Sequence, residues 1–159
     1  IGHIGATIAR RCKMLEMNVI GISRHGRPVS GIDSVYTSKD LDSVLPAADF
    51  VVLAAPLTVE TRNLFDRRRQ ALTKPGPGIV NIGRAATMDY RALVENLQSG
   101  HFSGAILDVF GEEPLPEGSG LWHTPNLNVT PHIAVDDGNT YVEMTLDLVF
   151  GNPEKHVGG

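Results

Sequence analysis

A single cysteine, Cys12, stands in the 159-residue sequence. With no second thiol there is no internal disulfide, and this usage fits a reducing, cytoplasmic setting. Long hydrophobic runs are also missing. The longest, Phe50 to Leu57, is far short of the ~20 residues a membrane-spanning helix needs, and no stretch reads as a secretory signal. Nor is there an excess of positive charge. The net charge of −4 gives no reason to expect a nucleic-acid partner. Internal repeats and low-complexity blocks are absent, and no metal ligand set is assigned. What is present is 42% hydrophobic and 20% charged residues, the balance of a soluble domain with a real core. Residues 1–150 read as that domain and 151–159 as a C-terminal tail.

Apolar side chains at Ile4, Ile8, Cys12 and Leu15 fall at helical spacing, which predicts a helix over 4–17 with a single buried face. Val19 to Ile22 reads as a short buried strand and Ser23 to Pro28 as a polar loop. Ser38 is placed to cap a short helix whose inner face carries Leu41, Val44 and Leu45. Phe50 to Ala54 is a continuous apolar run, as expected of a strand buried on both sides. Asp66 is placed to cap the helix 67–72, and Ile79 to Ile82 is the next strand. A helix comes after it, with Tyr90, Leu93, Val94 and Leu97 on one face and Gly100 as its stop. Two more strands, 105–107 and 127–129, are separated by a Pro- and Gly-rich loop, and a last helix covers roughly 137–150. Strand and helix alternate throughout, which predicts an α/β fold with a parallel sheet and helices on both faces.

Three successive strands each run into chemically capable residues. Ile79 to Ile82 leads to Gly83-Arg84. The strand 105–107 leads to Asp108 and Glu112-Glu113. The strand 127–129 leads to Thr130-Pro131-His132. In a parallel sheet, ligands bind at the carboxyl ends of the strands, so Arg84, Glu113 and His132 are expected to converge on one cleft. A guanidinium, a carboxylate and an imidazole suit acid–base chemistry on a small acid. Singly, each has an ordinary alternative: His132 a hydrogen-bonded histidine, Glu112-Glu113 a solvated acidic loop, Arg84 a surface arginine. Trp122 reads as a residue packing its own loop, and Arg67-Arg68-Arg69 as an exposed helix face.

The other end of the chain reads as a nucleotide site. Gly2-His3-Ile4-Gly5 is the second half of a G-x-G-x-x-G fingerprint, whose glycines bring backbone to a pyrophosphate at a helix N-terminus. The alternative is ordinary packing before a helix. An acid that would bind the ribose 2′-hydroxyl of NAD belongs about 20 residues on, but that place holds Ser23-Arg24, with His25 and Arg27 nearby. A hydroxyl and guanidinia suit a 2′-phosphate, which favours NADP over NAD, with NAD still possible. The alternative is a solvated basic loop.

Together these landmarks resemble the D-isomer-specific 2-hydroxyacid dehydrogenases, over nearly the whole chain and in their cofactor-binding domain. The motifs are G-H-I-G at 2–5, A-P-L-T-x-E-T at 55–61, K-P-G-x-G-I-V-N-I-G-R at 74–84, L-D-V-F-x-E-E-P at 107–114 and T-P-H-I-A at 130–134. The nearest likeness is to the glyoxylate/hydroxypyruvate reductase-like branch. The resemblance implies that Arg84 fixes the substrate carboxylate and polarises the keto oxygen. It implies that His132 is the general acid for keto reduction and the base for the reverse, and that Glu113 bonds His132 and favours the imidazolium. It further implies that Asp108 orients the nicotinamide carboxamide and that Ile82-Gly83 lines the nicotinamide pocket. Backbone at His3 and Ile4 then faces the pyrophosphate, and Pro56 and Thr61 lie near the adenosine side. Gly111, Ala85 and Pro77 depart from the family's usual residues at positions that carry no chemistry.

The family also has a second domain, discontinuous in sequence, and a first nucleotide-domain strand, neither of which is in these residues. The fold expected is therefore a Rossmann-type doubly wound parallel sheet lacking its first strand and the substrate domain, and we expect the sequence to be clipped from a longer protein. The expected activity is hydride transfer between NADP(H) and a small 2-keto acid of glyoxylate or hydroxypyruvate type. The resemblance also implies a homodimer. The alternatives are a non-enzymatic NAD(P)-sensing, corepressor-like module, an inactive fragment of the enzyme, or another chemistry of the family such as formate or phosphite oxidation.

Overall fold

The computed structural model of the chain describes residues 1–134; the helix expected over 137–150 and the tail at 151–159 lie outside the described residues. In chain order the elements are α1 (His3–Met14), β1 (Ile20–Ile22), β2 (Ser34–Tyr36), α2 (Leu41–Val44), β3 (Phe50–Leu53), α3 (Arg67–Gln70), β4 (Gly78–Asn81), α4 (Tyr90–Gln98), β5 (Gly104–Leu107) and β6 (Leu127–Val129). Every strand pairing is parallel. This is the Rossmann-like arrangement of sheet and crossover helices that the alternation predicts.

The six strands divide into two sheets, β1–β2 and β3–β4–β5–β6. In a doubly wound order the first strand stands in the middle. The break between β1 and β3 falls at that place, which holds no strand among the described residues. Ile1 lies along the free side of β1: its amino group donates to the Ile22 carbonyl (2.5 Å), and its side chain covers Gly21.

Within the larger sheet the register is even. Leu53 pairs with Asn81, Asn81 with Leu107, and Leu107 with Val129. All four strands therefore end on one row. The next residues continue the ladder: Ile82 N donates to Leu53 O (3.0 Å), Asp108 N to Asn81 O (3.0 Å) and Thr130 N to Leu107 O (2.9 Å). This level row puts the segments at 82–84, 108–113 and 130–132 side by side.

The core sits under this sheet. Phe65, Ile79, Leu93, Leu97, Phe102 and Leu107 are all buried, and each such side chain contributes about 1.5–3 kcal/mol through removal from water. Helix α4 turns Ala92, Leu93 and Leu97 inward. Its start is capped by Asp89, whose carboxylate accepts from Arg91 N (3.0 Å) and Ala92 N (3.1 Å). It stops at Gly100, whose φ of +76° a residue with a Cβ adopts only at a cost. Asp66 caps α3 through Arg69 N (2.8 Å). No helix among the described residues is long and apolar enough to cross a membrane.

Four local expectations are corrected. The capping residue is Thr37, not Ser38, and it closes the 3-10 turn Ser38–Asp40 that leads into α2. Asp40 accepts from both Thr37 N and Thr37 Oγ1, closing a capping box one residue earlier. Strand β2 adds to the expected elements. Strand β3 is not buried on both sides: Phe50 is 59% and Val52 42% exposed, because the helices that come after β3 and β4 cover the opposite face. The apolar stripe of α1 is likewise open. Ala9 is its only buried residue, and Leu15, just past the helix, is 75% exposed.

Candidate active site

Of the three reactive side chains, His132 and Glu113 meet directly. His132 Nδ1 lies 2.7 Å from Glu113 Oε2, and among the described residues Nε2 has no bonding partner, which suits a proton donor or acceptor role. The other carboxylate oxygen, Oε1, accepts from Phe110 N (2.8 Å). These bonds, from His132 first and Phe110 second, hold the Glu113 carboxyl below its usual range, with a further contribution from the Arg84 charge. Arg84 stands at the neighbouring strand end, just after β4. It is exposed, and its Nη1 donates to the Gly83 carbonyl (2.7 Å). Beside the pair is an open pocket of about 550 Å³ lined by Phe110, Leu115, Trp122, Val129 and Pro131. A depression of about 380 Å³ on the open sheet face, around Phe50, Gly78 and Ile106, shares no residue with it.

His132 has φ +59°, in the left-handed region that L-residues seldom occupy. Such strain persists only where the surroundings impose it, and here Asp108 does so. Its Oδ1 accepts from Thr130 Oγ1 (2.5 Å) and Ile133 N (2.9 Å), and its Oδ2 from Ala134 N (2.9 Å). The loop is gripped on both sides of the histidine. Burial by itself raises the Asp108 carboxyl pKa, but these bonds hold it below the usual value. At 1% exposure, Asp108 is directed at the loop, and any contact with a nicotinamide carboxamide must use the lone pairs left over.

Gly83 is buried against the end of β3. A Cβ built there lies 2.7 Å from the Ala55 carbonyl oxygen, so only glycine fits without moving backbone. Two residues that sequence reasoning does not single out support this turn. Asn81 Oδ1 accepts from Gly83 N (3.1 Å), and its Nδ2 faces Arg84 O and the Tyr90 hydroxyl, each at 3.3 Å. Asn81 is the one polar residue in the run Ile79 to Ile82, a signal the sequence does carry. Tyr90 reads from spacing only as part of an apolar helix face.

Residues 2–5 stand at the start of α1 and residues 23–27 just after β1 of the smaller sheet. Gly2 is the N-cap of α1 and no side chain caps that end. Ala6 N bonds Gly2 O, so the N–H groups of the first turn, at His3, Ile4 and Gly5, are left for an acceptor. Such an end fits a pyrophosphate. At the end of β1, Ser23 Oγ accepts from Gly26 N (3.1 Å), folding the 23–27 loop about Gly26 at φ +62°. Arg24 and Arg27 are exposed, and Arg24 stands 3.9 Å from Glu60. Pro56 O accepts from Thr61 Oγ1 (2.6 Å), which closes the turn after β3. Trp122 packs its own loop, its Nε1 donating to Pro116 O (2.9 Å). Of the arginine run, Arg67 pairs with Glu95 and Arg68 with Asp42. Arg69 is not part of an exposed face: it is half-buried and bonds Asp42 and Leu64 O.

The chain was compared with known proteins. The family model described as D-isomer specific 2-hydroxyacid dehydrogenase, NAD binding domain, matches residues 1–134. A glyoxylate reductase of Pyrococcus furiosus is 39% identical over 132 residues, covering 83% of this chain and 39% of that protein. A glyoxylate/hydroxypyruvate reductase B of Citrobacter koseri is 36% identical, covering 98% of this chain and 51% of its own length. Among solved structures, the NADPH-dependent glyoxylate/hydroxypyruvate reductase of Sinorhizobium meliloti, in complex with NADP and sulfate, superposes with a TM-score of 0.86 at 32% identity. That match covers 98% of this chain and 50% of the other. The chain spans about half the length of the curated relatives it matches.

Proposed function

Because this chain belongs to the D-isomer specific 2-hydroxyacid dehydrogenase family, we propose that it carries the cofactor and acid–base half of an NADP-preferring reductase of small 2-keto acids, of glyoxylate or hydroxypyruvate size. The observation that carries the reading is the His132–Glu113 contact at 2.7 Å with Arg84 one strand end away. The similar proteins named glyoxylate and hydroxypyruvate reductases support the substrate class.

The roles derive from charge. Arg84 offers a planar fork of donors to the substrate carboxylate and draws electron density from the adjacent keto oxygen. When bound, the dinucleotide supplies the hydride. Negative charge then develops on the keto oxygen, and His132 Nε2 delivers the proton that neutralises it. Glu113 stabilises the imidazolium that must be present beforehand and holds the ring through Nδ1. In the reverse direction the same nitrogen accepts the hydroxyl proton. His3 and Ile4, by their free N–H groups, hold the pyrophosphate. Ile82 and Gly83 line the nicotinamide side, and Pro56 and Thr61 the adenosine side. Ser23, Arg24 and Arg27 face a 2′-phosphate, which is the basis for preferring NADP to NAD. A homodimer in the cytoplasm completes the proposal.

The test is loss of NADPH absorbance with glyoxylate and with hydroxypyruvate, for the wild type and His132→Ala. Turnover that falls by about 10²–10⁴-fold in the variant, the range for a lost general acid, supports the reading. Wild-type activity that survives the substitution overturns it.

A further inference from the structure

We infer that Asn81 and Tyr90 are positioning residues that lock the Arg84 turn and the Glu113–His132 pair into one frame. The inference rests on the function proposed above for those three side chains, and it concerns how they are held in register.

Asn81 ends β4 in the row Leu53–Asn81–Leu107, where its neighbours are apolar and buried. It is 0% exposed. A buried amide costs free energy unless its atoms are bonded, and a leucine at this point of the row would carry no such demand. Two of the amide's three bonds go to the turn carrying Arg84. Oδ1 takes the Gly83 N–H and Nδ2 the Arg84 carbonyl. The Arg84 carbonyl also accepts from Thr87 Oγ1 (2.7 Å), so the backbone behind the guanidinium is held from both sides.

The second bond of Nδ2 goes to the Tyr90 hydroxyl (3.3 Å), which in turn donates to the Val109 carbonyl (2.6 Å). Val109 begins the turn after β5, in which Phe110 N bonds Glu113 Oε1 and Glu113 Oε2 bonds His132. One path of hydrogen bonds therefore runs from the Arg84 backbone through Asn81 and Tyr90 to the acid–base pair. Tyr90 keeps its proton throughout. Burial raises its pKa well above the usual phenol value, with the Asn81 bond acting in the opposite direction and the nearby Glu113 charge adding to the rise, so it remains a donor to Val109 near neutral pH.

The two residues brace different halves, and this separates the frame from a merely structural role. Tyr90→Phe keeps the ring and frees the Val109 turn, so kcat falls about tenfold while the keto-acid KM moves less than about twofold. Asn81→Leu fills the same space and frees the Arg84 turn, so the keto-acid KM rises about tenfold, well short of the ~100-fold that a 1 Å misplacement can cost. NADPH affinity stays within about twofold in Tyr90→Phe, whose bond lies away from the Gly83 turn. If Asn81→Leu does not fold, Asn81→Ser keeps a small polar group and carries the same KM expectation. Amide hydrogen exchange gives a readout that does not depend on turnover. Protection at Gly83 falls at least about tenfold in the Asn81 variant and at Phe110 in Tyr90→Phe. An active wild type whose variants lose only thermal stability, with no kcat-against-KM split and no change at those amides, overturns the inference and leaves the proposed function standing. A wild type with no turnover counts against the function, and the exchange data then decide the frame alone.

Discussion

The two sheets of this molecule are made by the same parallel pairing and packed to very different degrees. In β1–β2 the strands are three residues long, Ile20 and Tyr36 are each 39% exposed, and the helix above them buries one alanine. In β3–β6 the strands are backed by Phe65, Leu93 and Phe102, all at 1% exposure or less. The proposed acid–base residues emerge from the second sheet, and the proposed pyrophosphate and 2′-phosphate residues, at 2–5 and 23–27, from the first. Reacting atoms need positions fixed to a fraction of an ångström, which requires a dense base. The first sheet is open beside β1, at the place between β1 and β3 that holds no strand among the described residues, and thin layers are where local opening begins.

The comparison breaks most sharply in the core. Phe102→Ala should lower unfolding free energy by about 3–5 kcal/mol, the range for deleting a fully buried ring. Ile20→Ala, on the half-open β1, should cost under about 1.5 kcal/mol, less than full burial of such a side chain is worth. Urea unfolding of both variants measures the difference; equal losses would mean that the first sheet is packed as tightly as the second. Next in size is Gly83→Ala. Its methyl group meets the Ala55 carbonyl at 2.7 Å, so the two strand ends must part. Overpacking of this kind costs about 1–3 kcal/mol, and turnover should fall with it. A variant with unchanged melting and turnover would show that the turn has room the structure does not display.

The larger sheet is also the more legible in the sequence. Ile79 to Ile82 and the run from Tyr90 to Leu97 carry clear periodicity, a cap and a glycine stop, and their packing obeys the same regularities. Strand β2 escapes a reading of the sequence because Ser-Val-Tyr offers one apolar side chain between polar ends. The exposure of α1, β1 and β3 escapes it for a different reason. Apolar spacing says which face wants cover, and only the three-dimensional arrangement says which elements lie over it. The strand ends bearing Arg84, Glu113 and His132 are legible because parallel strands in register deliver their next residues to one edge. Asn81 shows in the sequence only as the one polar residue of its run and Tyr90 only as part of a helix face, because the role inferred for them lies in bonds to backbone atoms of other turns, and sequence spacing does not encode those distances.

The first sheet can be examined through its ligand. If Arg24 meets the 2′-phosphate, Arg24→Ala should weaken NADPH binding relative to NADH by about tenfold (~1.4 kcal/mol), with little change in melting because the side chain is exposed. Paired fluorescence titrations measure this. An unchanged ratio would assign discrimination to Ser23 or Arg27, or remove it from this loop.

The smallest effect concerns the joint between the two regions. Asp42, on α2, lies in the segment that leads from the first sheet to the second. It bonds Arg68 Nη1 (2.7 Å) and Arg69 Nε (2.8 Å) of α3. Those bonds, Arg68 first, lower its pKa from 3.8 to about 2. A carboxyl whose pKa is lower in the folded state binds fewer protons there than in the unfolded chain. Its stabilisation is therefore complete above about pH 4 and declines as the pH falls from 3.8 towards 2. Other carboxyls, among them Asp33 and Glu113, are also held below their usual range, so the informative quantity is the difference between wild type and Asp42→Asn. That difference should be constant above about pH 4 and shrink towards zero near about pH 2, and it should be small because exposed ion pairs contribute little. If instead the difference persists unchanged to about pH 2, the effect of the substitution does not come from the carboxylate charge, and the Asp42 ion pairs do not tie α2 to α3.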